Sequence, residues 1–457
     1  MALSERGRTY ALFAIVVLAC ALGSLTQTVM NSMLGGVRAD FGVDASVGQW
    51  LTTIYMLALG ITVPAVTFFS QKLSMRNVVF LALFLYLAGG AIDLVAPTFW
   101  VLVAGRVLQA VGAGITLPVL QSIAMMRFPK GQNGTAMGIA GIAMGFAPNI
   151  GPLIGGALVD SWGWRSFFVL FIVVVVVLVA ACAVLVERED APQRDARFEA
   201  VSFLYSTLGF GGLLLAFSNA ASTAIASPLV WVPAVVGVAC LVLFVVRQKR
   251  IEHPLISMDI FKSAHFRASF VAQNCLFASF MGITLIVPLY VQGLLGESAI
   301  EAGLVFVPAT ILAVIVNPLA GILSDKIGVR PVAIVAALLL TAGAVSMAFM
   351  DENTPLWAVT LMQTVRGMGV SALIGPLNSW GMGGLPGKIM MDASAFFAAV
   401  RQACASLGTA IMVLAITALS ASAGAGALEA QVAYQVAFGI SAVLAACVLA
   451  VAIVKVR

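Results

Sequence analysis

The sequence predicts an all-α integral membrane protein with fourteen spanning helices, arranged as two six-helix bundles with a pair of helices inserted between them. Three observations predict it. Of 457 residues, 61% are hydrophobic and only 9% are charged, too few charges to cover a globular surface in water. Apolar runs of the ~20 residues needed to cross a bilayer recur fourteen times. With the N-terminus inside, nineteen of the 24 Lys and Arg fall in inner loops, two (Arg38 and Arg165) in outer loops and three (Arg106, Arg366 and Arg401) within the runs.

The runs lie near 9–34, 49–69, 77–97, 99–125, 133–159, 166–186, 200–220, 226–246, 268–291, 299–323, 331–350, 355–380, 391–420 and 432–455. The first is too long for the apolar core of a signal peptide and has no clear small-residue cleavage site, so it reads as span 1 and the chain as uncleaved. Two charged segments divide the rest. Residues 187–199 (EREDAPQRDARFE) close a bundle over 1–186, and 247–267 precede a second over 268–457, leaving the pair at 200–246 between them. Both termini are expected in the cytoplasm, in the cytoplasmic (inner) membrane of the cell. The net charge of +5 needs no nucleic-acid partner, because the positive charge lies where the anionic inner leaflet is. All six cysteines sit in apolar runs and read as small hydrophobes. No metal or cofactor is expected.

Residues 141–168, most of span 5 and the start of span 6, read GIAMGFAPNIGPLIGGALVDSWGWRSFF. Gly141, Gly145, Gly151, Gly155 and Gly156 recur at helical spacing, with Pro148 and Pro152 among them. Gly costs about 1 kcal/mol and Pro about 3 in a soluble helix. In a bilayer, small residues let two backbones approach, and neighbouring helices re-satisfy groups that Pro frees. The string closely resembles the fifth-helix antiporter motif of drug:proton exporters in the major facilitator superfamily. Six, two and six spans resemble the fourteen-spanner branch of those exporters. Gln49-Trp50-Leu-Thr52-Thr-Ile-Tyr55 at span 2 and Pro288-Leu-Tyr290-Val-Gln292-Gly-Leu-Leu-Gly296 after span 9 are similar to the same family. The resemblance covers essentially the whole chain and implies the major facilitator fold.

The loop after span 10, Gly321-Ile-Leu-Ser-Asp325-Lys326-Ile-Gly328-Val-Arg330, resembles the superfamily's cytoplasmic loop signature at every principal position. The resemblance implies that Asp325 latches one conformation. The equivalent loop after span 2 keeps Lys72 and Arg76 but has Thr67, Gln71 and Ser74 where the signature has Gly, Asp and Gly. Its latch is expected to be weak.

An ionisable group inside a bilayer costs several kcal/mol unless partnered or wet, so each is a functional candidate. Arg106 heads Arg-Val-Leu-Gln109-Ala-Val-Gly112 in span 4, similar to the motif whose Arg the family uses in proton transfer; Gln109, three residues on, shares its helix face. Arg366 holds the corresponding place in span 12, and Arg401-Gln402 matches a pattern in span 13. Span 1 departs from the family. Where the pattern is Leu-Asp-x-Thr-Val-Val-Asn, this chain has Leu25-Thr26-Gln27-Thr28-Val29-Met30-Asn31, and threonine carries no charge for a proton or a cationic drug. The acids at span edges are Asp93, Asp160 and Asp392, and Asp93 and Asp392 are the candidates for proton coupling with Arg106. Thr26, Gln27, Asn31, Gln109, Asn149, Gln273 and Asn274, with Arg366 and Arg401, are the candidate cavity residues.

These readings lead to a secondary exporter of small amphipathic compounds, coupled to proton influx, working as a monomer by alternating access. A proton-uncoupled facilitator and a non-transporting sensor remain open. A membrane enzyme fits poorly, since the only histidines, His253 and His265, lie in one linker and no nucleophile–base set or nucleotide-binding loop is visible.

Overall fold

The structure, a computed structural model, describes residues 5–48, 50–129, 131–186, 199–220, 227–251, 254–422 and 427–456, and every regular element among them is helical. The first part of the chain forms α1 (Glu5–Phe41), α2 (Ala45–Gly48), α3 (Trp50–Thr62), α4 (Val66–Lys72), α5 (Met75–Val95), α6 (Phe99–Met126), α7 (Asn133–Gly141), α8 (Ala147–Trp162) and α9 (Arg165–Leu185). Then come α10 (Ala200–Ala220) and α11 (Pro228–Gln248). The last part forms α12 (Ala264–Gly293), α13 (Ala299–Leu304), α14 (Val307–Ile327), α15 (Val329–Met347), α16 (Leu356–Met382), α17 (Met390–Ser422) and α18 (Ala427–Val454).

Among the described residues, twelve helical stretches are long and apolar enough to cross a membrane, against the fourteen expected. The chain is a multi-pass membrane protein. The two runs outside that set are 133–159 and 355–380, and each has a physical reason. The former is split, because Pro148 has no N–H to return to the carbonyl four residues back; the ladder widens into a π turn over Ile142–Phe146, in which the Ala147 N–H reaches the Ile142 carbonyl. The latter, α16, is diluted by Gln363, Arg366, Asn378 and Ser379, all buried against neighbouring helices. Within the second linker, 247–267, α11 runs on to Gln248, a 3₁₀ turn covers Met258–Lys262, and α12 begins at Ala264. Residues 187–198 of the first linker, Gln49, Lys130 and His253 lie outside the described residues, as do the side chains of Asn31, Asn149, Pro152 and Asp160.

Helix α1 packs on α6, α8 and α9, while α5 lies between α6 and α9. In the other half α12 packs on α16, α17 and α18, and α15 on α16 and α18. The halves meet where α7 crosses α14 and α16 and where α6 meets α17; α10 touches both α3 and α17. Lys72, Arg76, Lys326 and Arg330 gather at one end, called here the basic end. An ion pair of 2.9 Å between Arg247 and Glu199 ties the start of α10 to the end of α11 there. At the opposite end Asp40 accepts hydrogen bonds from the Trp164 indole at 2.9 Å and from Arg165 at 2.8 Å, and Arg165 reaches the Ala96 carbonyl at 3.3 Å, joining α1, α5 and α9.

The span 5 glycines serve two different contacts. Gly134, Gly138 and Gly141 on α7 face α14: a Cβ on Gly138 would stand 2.5 Å from the Asn317 carbonyl oxygen, one on Gly141 2.6 Å from the Asn317 side chain, and one on Gly321 would collide with the Gly134 carbonyl. Gly375 of α16 closes on α7 in the same way, 2.9 Å from the Gly138 nitrogen. Gly151 and Gly155 on α8 face α1 instead, where a Cβ on each would stand 2.9 Å from a backbone oxygen, of Leu25 and Val29 respectively. These two therefore hold one half together rather than joining the halves. A Cβ on Gly145 would stand 3.6 Å from the tip of Ile374, and one on Gly156 would meet nothing within 4 Å among the described residues. Replacing Gly138 by Leu is accordingly expected to cost about 1–3 kcal/mol through overpacking, and Gly156→Leu less than about 0.5 kcal/mol. Thermal unfolding in detergent micelles measures both, and equal losses would show that this backbone contact is not what orders the helices.

Candidate functional site

Between the halves lies a cavity of about 50 Å³ whose wall includes Gln27 of α1, Met144 of the π turn, Phe277 and Met281 of α12, and Arg401 and Gln402 of α17. Pro148 also borders it. Arg401 is the one charged residue in that wall, and its guanidinium lies 4.5 Å from the centre of the Phe277 ring, whose negative face partly offsets a buried positive charge. Space of this size holds a few waters and not a drug-sized molecule.

Arg106 forms a second cluster nearby in α6. It is fully buried, with one Nη donating to Gln109 Oε1 at 3.0 Å, the other to the Thr26 carbonyl at 3.0 Å, and its plane 4.3 Å from the Tyr55 ring centre. The Thr26 hydroxyl donates to the Leu22 carbonyl at 2.6 Å, so the position where the family pattern has Asp offers the arginine only its backbone oxygen. Thr26 and Gln109 thus belong to this cluster rather than to the cavity wall, because the arginine needs their acceptors. Asp93 on α5 is also fully buried, and among the described residues neither of its carboxyl oxygens has a hydrogen-bond partner. It sits where α5 and α6 approach most closely: a Cβ on Gly105 would collide with its carboxyl group, and one on Gly89 would stand 2.7 Å from the Gly105 carbonyl. Asp93 and Arg106 act on each other electrostatically without an ion pair among the described contacts.

The remaining candidates are elsewhere. Arg366 is fully buried in α16, with Nε donating to Gln363 Oε1 at 3.2 Å and both Nη atoms unpartnered. Gln273 donates to the Ile374 carbonyl at 3.2 Å and Asn274 to the Phe270 carbonyl at 2.7 Å. None of the three is in the wall of this cavity; the two amides donate to carbonyls of α12 and α16 and the arginine reaches Gln363 of its own helix. Asp392 is not with Arg106 either. It lies in the first turn of α17 at the basic end, where its Oδ2 accepts from the Ser257 N–H at 2.8 Å.

At the same end Asp325 accepts three hydrogen bonds, from the N–H groups of Gly134 at 2.9 Å and Thr135 at 2.7 Å and from the Thr135 hydroxyl at 2.6 Å. Helix α7 has no side-chain cap of its own. Its free N–H groups and positive dipole end are met by a carboxylate from the other half, a charge-assisted arrangement. Lys326 and Arg330 are exposed beside it, and Gly328 takes φ 89°, a conformation that favours glycine. Ser74, its counterpart in the other loop, takes φ −61° and caps α5 with its hydroxyl.

Sequence reasoning missed Gly134, Gly138 and Asn317, whose small-residue spacing on α7 and α14 was visible, and Met144, Phe277 and Met281, which carry no signal in a chain so rich in apolar residues.

The sequence profile described as Major Facilitator Superfamily matches residues 16–409. Over 400 residues the chain is 31% identical to the MFS-type transporter YcnB of Bacillus subtilis (strain 168), covering 88% of this chain and 84% of the relative. It is 30% identical over 420 residues to the lincomycin resistance protein LmrB of Listeria monocytogenes, covering 91% and 88%. Among solved structures, the proton:xylose symporter XylE superimposes with a TM-score of 0.65 at 13% identity, over 96% of this chain and 95% of that one, a likeness of fold.

The packing of α5 on α6 generates one prediction. Gly105→Ala should destabilise the protein by about 1–3 kcal/mol, and in an Asp93→Ala background part of that cost should disappear, because the colliding carboxyl is gone while the Gly89 carbonyl, 2.9 Å from the added Cβ, remains. A thermal-melting cycle of the four proteins checks it.

Proposed function

Given that the chain belongs to the Major Facilitator Superfamily and is a transporter rather than an enzyme, we propose that it exports small amphipathic compounds by alternating access, driven by proton entry. One observation carries this reading: a small cavity shared by both halves, with the basic end shut by a carboxylate of one half on the helix N-terminus of the other. A lock of that kind has to open for the cavity to reach that side. The basic end is taken as cytoplasmic, with both termini there, in the cytoplasmic membrane. The two helical stretches outside the twelve, Asn133–Trp162 and Leu356–Met382, are taken as spans 5 and 12, making fourteen. The working unit is a monomer of two bundles, 1–186 and 268–457, with the pair 200–246 between linkers 187–199 and 247–267. Asp93 is the proton carrier beside Arg106: a carboxyl buried without partners next to an arginine is placed to exchange its proton when the helices around it move. Relatives named for lincomycin resistance and multidrug resistance support drug-like substrates.

The cavity wall carries a positive charge and no acid, so neutral or anionic amphipaths should be preferred to lipophilic cations. Efflux from proteoliposomes, with and without a pH gradient, tests the whole reading. Chloramphenicol, a neutral amphipath, should leave faster when the gradient is present and ethidium should leave slowly, whereas Thr26→Asp should gain ethidium export, because it restores a carboxylate where the span 1 pattern of the family has one. Chloramphenicol efflux that ignores the gradient would mean a facilitator without proton coupling. No efflux of either compound, or rapid ethidium efflux by the unmodified protein, would overturn the substrate class.

Asp325→Asn leaves one acceptor oxygen for three donors. At about 1.5–3 kcal/mol for hydrogen bonds to a charged group, the closed form should lose roughly ten- to a hundredfold in population. Transport should fall accordingly, and Gln71→Ala, whose position already lacks the charge, should change it little.

A further inference from the structure

The two loops at the basic end are equivalent in sequence and are closed by different means. On one side Gly321 lets the backbone of α14 meet that of α7, and Asp325 grips the α7 N-terminus. On the other, Thr67 stands where Gly321 does and Gln71 where Asp325 does, and the facing helix is α17. Among the described contacts, neither side chain grips the start of α17. Three consecutive residues of the linker between α11 and α12 fill the place instead. The Leu255 carbonyl accepts from the Thr67 hydroxyl on α4 at 2.6 Å, the Ile256 N–H donates to Gln248 Oε1 at the end of α11 at 3.1 Å, and the Ser257 N–H donates to Asp392 on α17 at 2.8 Å. Each residue thus gives one backbone group to a side chain of a different helix. Leu255 is 5% exposed and Ile256 and Ile260 are fully buried, packed in the same apolar cluster as Val66, Met390 and Met391. A connecting loop ordinarily runs over the surface with its backbone in water; this one is built in like a core element.

We propose that residues 255–260 form a strap that closes the basic end on the α4–α17 side, replacing the direct carboxylate latch that Gln71 has lost. Thr67 is the substitution that makes it possible. A glycine there would have no hydroxyl for Leu255, and a threonine at the Gly321 position would keep two backbones apart. For α4 and α17 to separate, the strap must release Thr67 or Asp392. Because Gln248 holds the middle residue, the inserted α10–α11 pair then takes part in gating through its junction with the linker.

This inference rests on alternating access as proposed above, and the test separates the two. Nitroxides at Asn77→Cys and Gly387→Cys, on the full chain with its six native cysteines replaced, report the distance across this side of the basic end in phosphatidylethanolamine–phosphatidylglycerol vesicles by pulsed electron spin resonance. The parent should show a dominant short distance and a minor long one. Thr67→Val removes the donor at nearly constant shape, and Ser257→Pro removes the N–H at a backbone angle, φ −69°, that proline adopts. Each should enrich the long-distance population about tenfold, the effect of one lost hydrogen bond of this kind. Converting the loop to a direct latch with Thr67→Gly and Gln71→Asp should return the Ser257→Pro protein to the short distance. If the parent moves between the two distances while both strap variants match it, or if the converted latch fails to restore closure, the strap is wrong. If no protein shows a second distance under any pH or with chloramphenicol, alternating access itself is wrong.

Discussion

A carboxylate from one half of the molecule completes the unsatisfied end of a helix in the other: Asp325 takes the free N–H groups of Gly134 and Thr135. That contact depends on backbone geometry. The groups at the start of α7 can be met only if α14 comes close enough, and α14 comes close only because Gly134, Gly138 and Gly321 carry no side chain at the crossing. Apolar burial does little to hold helices together in a membrane, since lipid tails are as apolar as leucine. Close packing and a few directed hydrogen bonds must set the arrangement, and here they join the two halves.

The buried arginines follow a related logic. Arg106 has a carbonyl, an amide and an aromatic face, Arg401 an aromatic face, and Arg366 a single amide. None has a carboxylate at ion-pair distance among the described residues. Such sites are costly in a closed, dry protein. They become easier to bear when water or a substrate carrying acceptor oxygens reaches them, which ties the charge of the site to the state of the pore.

The helical membrane fold was legible because its signals are cumulative: apolar runs, basic loops and a glycine-rich helix agree over the whole length. Boundaries were less so, as the extended α1 and α11 and the split at Pro148 show, because helices run past the apolar stretch that announces them. Gly151 and Gly155 were readable as close-approach residues, but a spacing does not say which helix approaches, and they face α1 while Gly138 faces α14. Arg106 with Gln109 was visible at three-residue spacing, and the structure adds Thr26 through its carbonyl, a group every residue has. The same limit hides the linker contacts, since Leu255, Ile256 and Ser257 act through their backbones. Gln273, Asn274 and Arg366 were chosen because polar side chains in apolar runs are rare, yet rarity does not distinguish a group facing a cavity from one bonded to its own helix or its neighbour.

Asp40 has a consequence for how such a molecule can bend. By holding Trp164 and Arg165 together at the end opposite the lock, and through Arg165 the last turn of α5, it ties three helices of the same half into one corner. Three helices joined through one carboxylate and Arg165 are bound to move together, so that end of the first half is braced as a single piece. The π turn of span 5 lies between α7, which grips the second half, and α8, which is bedded on α1, so a strain applied at one face is delivered to the one stretch of the helix whose hydrogen bonding is already irregular.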